Sequence, residues 1–493
     1  MSMTRMFSED RPATPAGPAL LALVAAIVVL TVWRVWVIGH TGATLYVDEA
    51  YYWGWSQALA WGYFSKPPLV AAVIKATTAW LGDGLVGVKA GSLLLYPATA
   101  LLLFGLGRQL YDTRTALIAG LAFLTLPITT ALSLFISTDA LLLFFWTASL
   151  WALHSALERD RPRDWVLLGL TCGLGLMSKY TMAAFALTAA LLLLTSPEGR
   201  RKLVSPGPWI TAIVALAVLA PNLWWNWANG FPTFRHTAEI TQQHKDANLL
   251  EFIGAQIGSI GPLLAIGFIG AIVTLRTTWR NAGDRLLFAG SVPLLLLVMA
   301  QASTSEANAN WAGPIFAGGT LLAVSWLSRS AGRRKLLAAA LGLNVLIAVV
   351  VYQWPQILSA VHRPLTSKID PFKRMKGWDA LARGVAPWIA ANPDAYVVAD
   401  ERTLLAHVAY TLRAQSPRIA SWNPARAVHD QYQLTHSLPD TKGITILFLA
   451  QGDPAEVAAR FEHVEKVGML KVQTHPDFAL RTDVWLMQGF KGY

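Results

Sequence analysis

Tyr46–Pro68, YVDEAYYWGWSQALAWGYFSKPP, follows the first long apolar segment directly and combines an adjacent pair of acids, a dense set of Tyr and Trp rings and a Lys-Pro-Pro stop. An ionisable side chain at the mouth of a bilayer-spanning helix is costly unless it has a task. Tyr and Trp suit a boundary with lipid on one side and water on the other. The stretch therefore reads as a functional loop at a membrane surface. It poses the question that orders the rest of the chain: which other polar residues reach the same side?

Hydrophobic residues make up 54% of the 493 positions and charged residues only 14%, well below the roughly 25% charge of soluble domains. The chain reads as a polytopic α-helical membrane protein. Its net charge of +11 would suggest nucleic acid in a soluble protein. Here the Arg clusters fall between apolar segments, where positive loops set orientation, so no nucleic-acid partner is expected. Cys172 is the single cysteine and says nothing of redox compartment. Arg5 and Arg11 precede an apolar stretch without a small-residue cleavage site, the pattern of an anchor rather than a cleaved signal.

Apolar segments lie near residues 19–38, 85–107, 115–136, 140–157, 165–177, 181–195, 209–225, 252–275, 286–300, 311–327 and 336–351, about eleven spans. Residues 67–82 are apolar but short, opened by two prolines and interrupted by Lys75. If this segment lies in the outer interface instead of crossing, the clusters at Arg108/Arg114, Arg159–Arg163, Arg200–Lys202, Arg276–Arg285 and Arg329–Lys335 all share the side of the N-terminus, the positive-inside pattern. The same parity sends the first loop (residues 40–84), the turns at Ser137–Asp139 and Ser178–Tyr180, the loop Trp227–Leu250 and Gln301–Trp311 outside. Residues 1–354 then form the membrane domain. Residues 355–493, where strand-like pieces (395–398, 445–449, 483–487) alternate with helical ones, form a small outer α/β domain. A helix is expected from Asp453 to about Phe461.

Each candidate residue has a plain reading beside the functional one. Asp48 and Glu49 are a helix cap and its companion, or a general base able to take a proton from a nucleophile. Lys66 and Lys179 are interfacial anchors, or cations for a phosphate. Asp139 caps a span or lines a site with Asp48. Arg235 and His236 touch headgroups or bind a lipid-linked phosphate, with His244 and Lys245 in the same basic loop. Glu306, Asn308, Asn310 and Trp311 crowd one helix mouth as a polar wall, and Tyr51, Tyr52, Trp55 and Tyr63 furnish aromatic walls of a substrate pocket. His236 and His244 have no recognised metal-ligand spacing; no cofactor or metal ligand is assigned, and a divalent ion is left open.

The motifs Asp48-Glu49-Ala-Tyr-Tyr-Trp, Tyr63-Phe64-Ser65-Lys66-Pro67-Pro68-Leu69, Ser137-Thr138-Asp139-Ala140, Ser178-Lys179-Tyr180 and Glu306-Ala-Asn308-Ala-Asn310-Trp311, in that order, resemble bacterial members of the dolichyl-phosphate-mannose protein mannosyltransferase superfamily. These are GT-C glycosyltransferases, and the lipid A aminoarabinose transferase is a relative. The resemblance covers the membrane part. It implies an inverting transferase of the bacterial inner membrane, taking a sugar from a polyprenyl-phosphate donor to a lipid, glycan or protein acceptor outside, with a cytoplasmic N-terminus and a periplasmic C-terminal domain. It implies Asp48 as base, Asp139 in the same site, and Lys66 and Lys179 holding the donor phosphate. The aminoarabinose relatives carry a Glu where Ser65 stands, so the role of that Glu does not transfer. A flippase would place charge at mid-bilayer and show repeats. A glycan ligase or polymerase would share the chemistry and differ in donor length.

Overall fold

The computed structural model describes residues 16–242, 246–399 and 401–493; Arg5, Arg11, His244 and Lys245 lie outside them. All the apolar segments read from sequence fall on helices. Among the described residues six helices are long and apolar enough to cross a membrane: Ala16–His40, Leu85–Leu110, Thr138–Arg159, Pro206–Ala228, Ala282–Ala302 and Ala331–Tyr352. Two bent pairs raise that number to eight if each counts as one span. Residues 252–275, expected as one span, are such a pair: Leu249–Ile260 and Pro262–Val273 meet at 108°. Gly261 at the corner has φ +92°, and a Cβ there would lie 2.1 Å from Asn344 Oδ1. Only glycine takes that backbone and that approach at no cost, and the following proline cannot continue the helix. Residues 115–136 are also interrupted, without a glycine corner: one helix ends at Thr125 and another starts at Pro127.

Charge sorts between the two ends of these helices. Thr138–Arg159 begins at Asp139, which meets Lys179, and ends at Arg159, near Asp164. The second end also holds Lys202 on Asp160 at 2.9 Å and Arg329 on Asp284.

In the first loop, Val47–Gln57 forms a helix in which Glu49 accepts the Tyr46 N–H at 2.8 Å, closing the first turn. The chain then folds back on itself. The Tyr63 ring stacks on Trp55 at 4.5 Å, its hydroxyl donates to the Trp55 carbonyl, and Pro67-Pro68 lead into the Leu69–Leu81 helix. At Gly62 a Cβ would lie 2.3 Å from the Trp225 ring, so the loop lies flush on the Pro206–Ala228 helix.

The polar C-terminal part carries a five-stranded sheet: β1 (Tyr396–Ala399), β2 (Ile419–Ser421), β3 (Ile446–Ala450), β4 (Phe461–His475) and β5 (Phe478–Phe490), in the order β2-β1-β3-β5-β4. β1 is parallel to β2 and β3; β5 is antiparallel to β3 and β4. The helix expected from 453 to 461 is only Ala455–Ala458, and Phe461 already starts β4. β4, with Glu, Lys and His through an edge strand, shows no apolar alternation to read. The Trp378–Ala391 helix covers this hairpin, and at Gly468 a Cβ would meet Trp388 at 2.3 Å.

This domain sits on the first loop. Trp53 packs edge-on against Tyr410 at 5.2 Å, Tyr410 Oη donates to the Asp83 carbonyl at 2.8 Å, and the Phe64 N–H donates to Gln431 Oε1 at 2.7 Å. One buried apolar cluster runs from the membrane helices through Tyr51 and Trp53 to Leu404 and Val408.

Candidate active site

Neighbouring residues on a helix point about 100° apart, so the adjacent acids diverge. Glu49 turns inward and is 0% exposed. It accepts the Lys89 ammonium, the Tyr46 N–H and the Ile136 N–H. The sequence groups Glu49 with the catalytic acids, but the fold encloses it away from any open surface. Lys89 escaped the sequence reading because it lies inside a span, although a lysine in apolar surroundings is itself a sign that a buried acid exists. Asp48 turns outward, its side chain 39% exposed, and meets Arg402 Nη2 at 3.4 Å.

Ser137, not Asp139, caps the third long helix, accepting the Asp139 N–H at 3.2 Å. That leaves the Asp139 carboxylate for side chains: Oδ1 accepts Lys179 Nζ at 2.7 Å and Oδ2 accepts Asn310 Nδ2 at 3.0 Å. Lys179 is placed by the end of its helix, where the backbone turns extended (φ −160°). Lys66 makes no ion pair among the described residues. Burial pulls its ammonium below the ordinary lysine pKa, and the like charge of Lys179 adds to this. Asp139 and Asp48, also within electrostatic range, oppose the shift.

Lys66, Lys179 and His236 line a cavity of about 410 Å³ whose other wall is Leu294, Leu297, Val298 and Trp311. A cationic wall facing an apolar one suits a lipid phosphate, the head on the lysines and the chain along the leucines. The His236 ring lies against Phe64 at 4.8 Å, and burial, then the charge of Lys66, brings its pKa down to about 4. It is therefore neutral at pH 7. Tyr180, also on the lining, stacks on Phe234 and donates to Asn222 Oδ1 at 2.6 Å.

Other expected residues stand elsewhere. Arg235 is exposed and off the cavity lining. Tyr51, Tyr52, Trp55 and Tyr63 are buried, forming the loop's own core instead of a pocket wall. Of the polar helix mouth, Asn310 and Trp311 join the site, Asn308 is exposed and Glu306 is half-buried off the cavity lining. Sequence reasoning missed Arg402 and Gln431, which reach the first loop from the C-terminal domain and carry no local signal of doing so. No group of three or more His, Cys, Asp or Glu side chains among the described residues is placed to hold a metal ion.

The architecture is similar to that of ArnT from Cupriavidus metallidurans bound to undecaprenyl phosphate, with a TM-score of 0.66 at 16% identity over 96% of this chain and 98% of that one. The fold is that of a GT-C membrane glycosyltransferase. Residues 65–225 match the family described as dolichyl-phosphate-mannose-protein mannosyltransferase. The chain is 32% identical over 414 residues to the lipid A galacturonosyltransferase RgtD of Rhizobium johnstonii, covering 83% of this chain and 86% of the relative. It is 28% identical over 316 residues to the undecaprenyl phosphate-alpha-4-amino-4-deoxy-L-arabinose arabinosyl transferase of Edwardsiella ictaluri, covering 59% and 54%. The protein belongs to this mannosyltransferase-like family and is a multi-pass membrane glycosyltransferase.

Proposed function

We propose that the protein moves a single sugar from a polyprenyl-phosphate donor to a lipid-linked glycan at the outer face of the bacterial inner membrane, with inversion. The observation that carries this reading is the cavity with Lys66, Lys179 and His236 on one wall and membrane-helix leucines on the other, next to Asp139 and Asp48. The names of the relatives point the same way: lipid A and polyprenyl-phosphate sugars for the proteins similar in sequence, undecaprenyl phosphate for the one similar in fold.

In this mechanism Asp48 takes the proton of the acceptor hydroxyl, whose oxygen forms the new bond to the anomeric carbon. The bond from that carbon to the phosphate oxygen breaks, and the electron pair leaves with the polyprenyl phosphate. Lys66 and Lys179 stabilise the charge gained there, so the leaving group needs no proton. Asp139 holds Lys179 in place. Neutral His236 supplies a hydrogen bond and adds no third positive charge to the site. Glu49 acts through position alone: with Lys89 it anchors the first turn of the loop helix and so aims Asp48. The Arg clusters at the far helix ends support, by the positive-inside pattern, a cytoplasmic N-terminus and with it a periplasmic C-terminal domain in this reading.

Mass spectrometry of lipid-linked sugars and envelope glycolipids, in cells with and without the gene, tests this reading. The expected result is a polyprenyl-phosphate monosaccharide that accumulates while one glycolipid loses a sugar. No change in either pool removes the polyprenyl-phosphate donor and the glycolipid acceptor proposed here.

A further inference from the structure

Arg402 opens the Arg402–Thr411 helix of the C-terminal domain and lies across the membrane domain's first loop. Its guanidinium sits 4.9 Å over the Tyr51 ring, and Tyr51 is held in turn by the Gln431 N–H. The one polar contact it makes among the described residues is Nη2 to Asp48 Oδ1 at 3.4 Å. That is long and single for a group that pairs with carboxylates through two parallel bonds at roughly 2.8 Å. The side chain is 42% exposed, and the other N–H groups of its fork make no hydrogen bond among the described residues, although Asp430 also lies within electrostatic range. The other two cations of the site are used differently: Lys179 is seated on Asp139, and Lys66 stands over the cavity. Arg402 is thus a planar donor fork, pre-oriented on an aromatic ring and incompletely paired, beside the proposed base.

We propose that Arg402 binds an anionic group, a carboxylate or a phosphate, carried by one of the two sugar substrates next to the hydroxyl that Asp48 deprotonates. This rests on the transferase reading and deepens it by assigning a substrate charge. In an inverting displacement the base and the leaving phosphate flank the sugar, so the Lys66–Lys179 wall takes the donor phosphate and Arg402 takes a second anion. When that anion binds, Arg402 leaves Asp48, and a carboxylate that loses its cation becomes a stronger base. The base is then activated by a correctly charged substrate. A uronic sugar supplies the anion from the donor side, and a phosphorylated glycolipid supplies it from the acceptor side.

The test uses the full-length protein in lipid nanodiscs with four substrate pairs: undecaprenyl-phosphate galacturonate or undecaprenyl-phosphate galactose as donor, and phosphorylated or dephosphorylated lipid A as acceptor. kcat and KM are measured for wild type, Arg402→Ala and Arg402→Lys. The expected result is a loss of kcat/KM on Arg402→Ala that is roughly tenfold larger for pairs carrying the recognised anion than for pairs lacking it, mostly in KM, with only partial rescue by Arg402→Lys because an ammonium has no fork. Dependence on the donor carboxylate identifies the donor as source, and dependence on the lipid A phosphate identifies the acceptor. Equal losses across all four pairs overturn the proposal and leave Arg402 a positioning residue for Asp48. A wild-type protein that turns over none of the pairs overturns the proposed donor and acceptor, and the assignment of Arg402 with them.

Discussion

Two of the molecule's lysine–carboxylate pairs, Glu49 with Lys89 and Asp139 with Lys179, are alike in spacing, each 40 residues apart in sequence. The first is sealed: both side chains are at most 1% exposed, and two backbone N–H groups also donate to the carboxylate, one to each oxygen. The second opens on the cavity, with Lys179 13% exposed and lining it. Chemically alike, the pairs differ in what surrounds them. Where no substrate can arrive an ion pair serves as a strut, and where one wall is open the lysine can exchange its partner for a ligand.

The sharpest break in this comparison comes from the residue beside the strut. Asp48→Asn is expected to lower turnover by about a hundredfold to ten-thousandfold, with folding and donor affinity retained. A transfer assay alongside undecaprenyl-phosphate binding checks both; wild-type turnover removes Asp48 from the chemistry. Next, Lys89→Met leaves Glu49 buried without its cation, which costs about 3–5 kcal/mol. The thermal midpoint in detergent should fall clearly, and the Glu49→Gln/Lys89→Met double variant should recover most of the loss.

Lys179→Ala should behave oppositely to Lys89→Met. The thermal midpoint should fall less, because Asp139 keeps the Asn310 amide and lies beside the open cavity, while the donor KM should rise by roughly tenfold, because a charged hydrogen bond to phosphate is lost. If Lys179→Ala unfolds the protein and Lys89→Met does not, strut and ligand have been exchanged.

The smallest effect concerns pH. His407 is buried in the C-terminal domain, stacked on Trp378 at 5.1 Å, with Nε2 unpartnered among the described residues, and burial lowers its pKa from the ordinary 6.5 to about 3. Between those values the unfolded chain binds a proton that the folded one excludes. The stability tied to neutral His407 is therefore complete above about pH 6.5 and is lost as pH falls towards 3. His407→Phe keeps the stack and removes the titration, so its thermal midpoint should fall less than that of wild type between pH 7.5 and 5.

Much of this was legible in the sequence because the signals are local. Hydropathy marks each helix, and positive clusters and span parity place Asp48, Lys66, Asp139, Lys179 and Asn310 at one end, where the structure gathers them. The Lys-Pro-Pro stop and the serine before Asp139 announce their turns through short-range sterics and hydrogen bonding. Tertiary structure alone decided which of two adjacent acids is enclosed, because that depends on where Lys89 and the Ile136 N–H arrive from other elements. It alone turned the loop's tyrosines and tryptophans into packing, and bent the 252–275 segment around Asn344. It also brought Arg402 to Asp48 across 354 residues. Local pattern can say that a charge is costly in its place, but its partner is chosen by packing between segments that share no pattern.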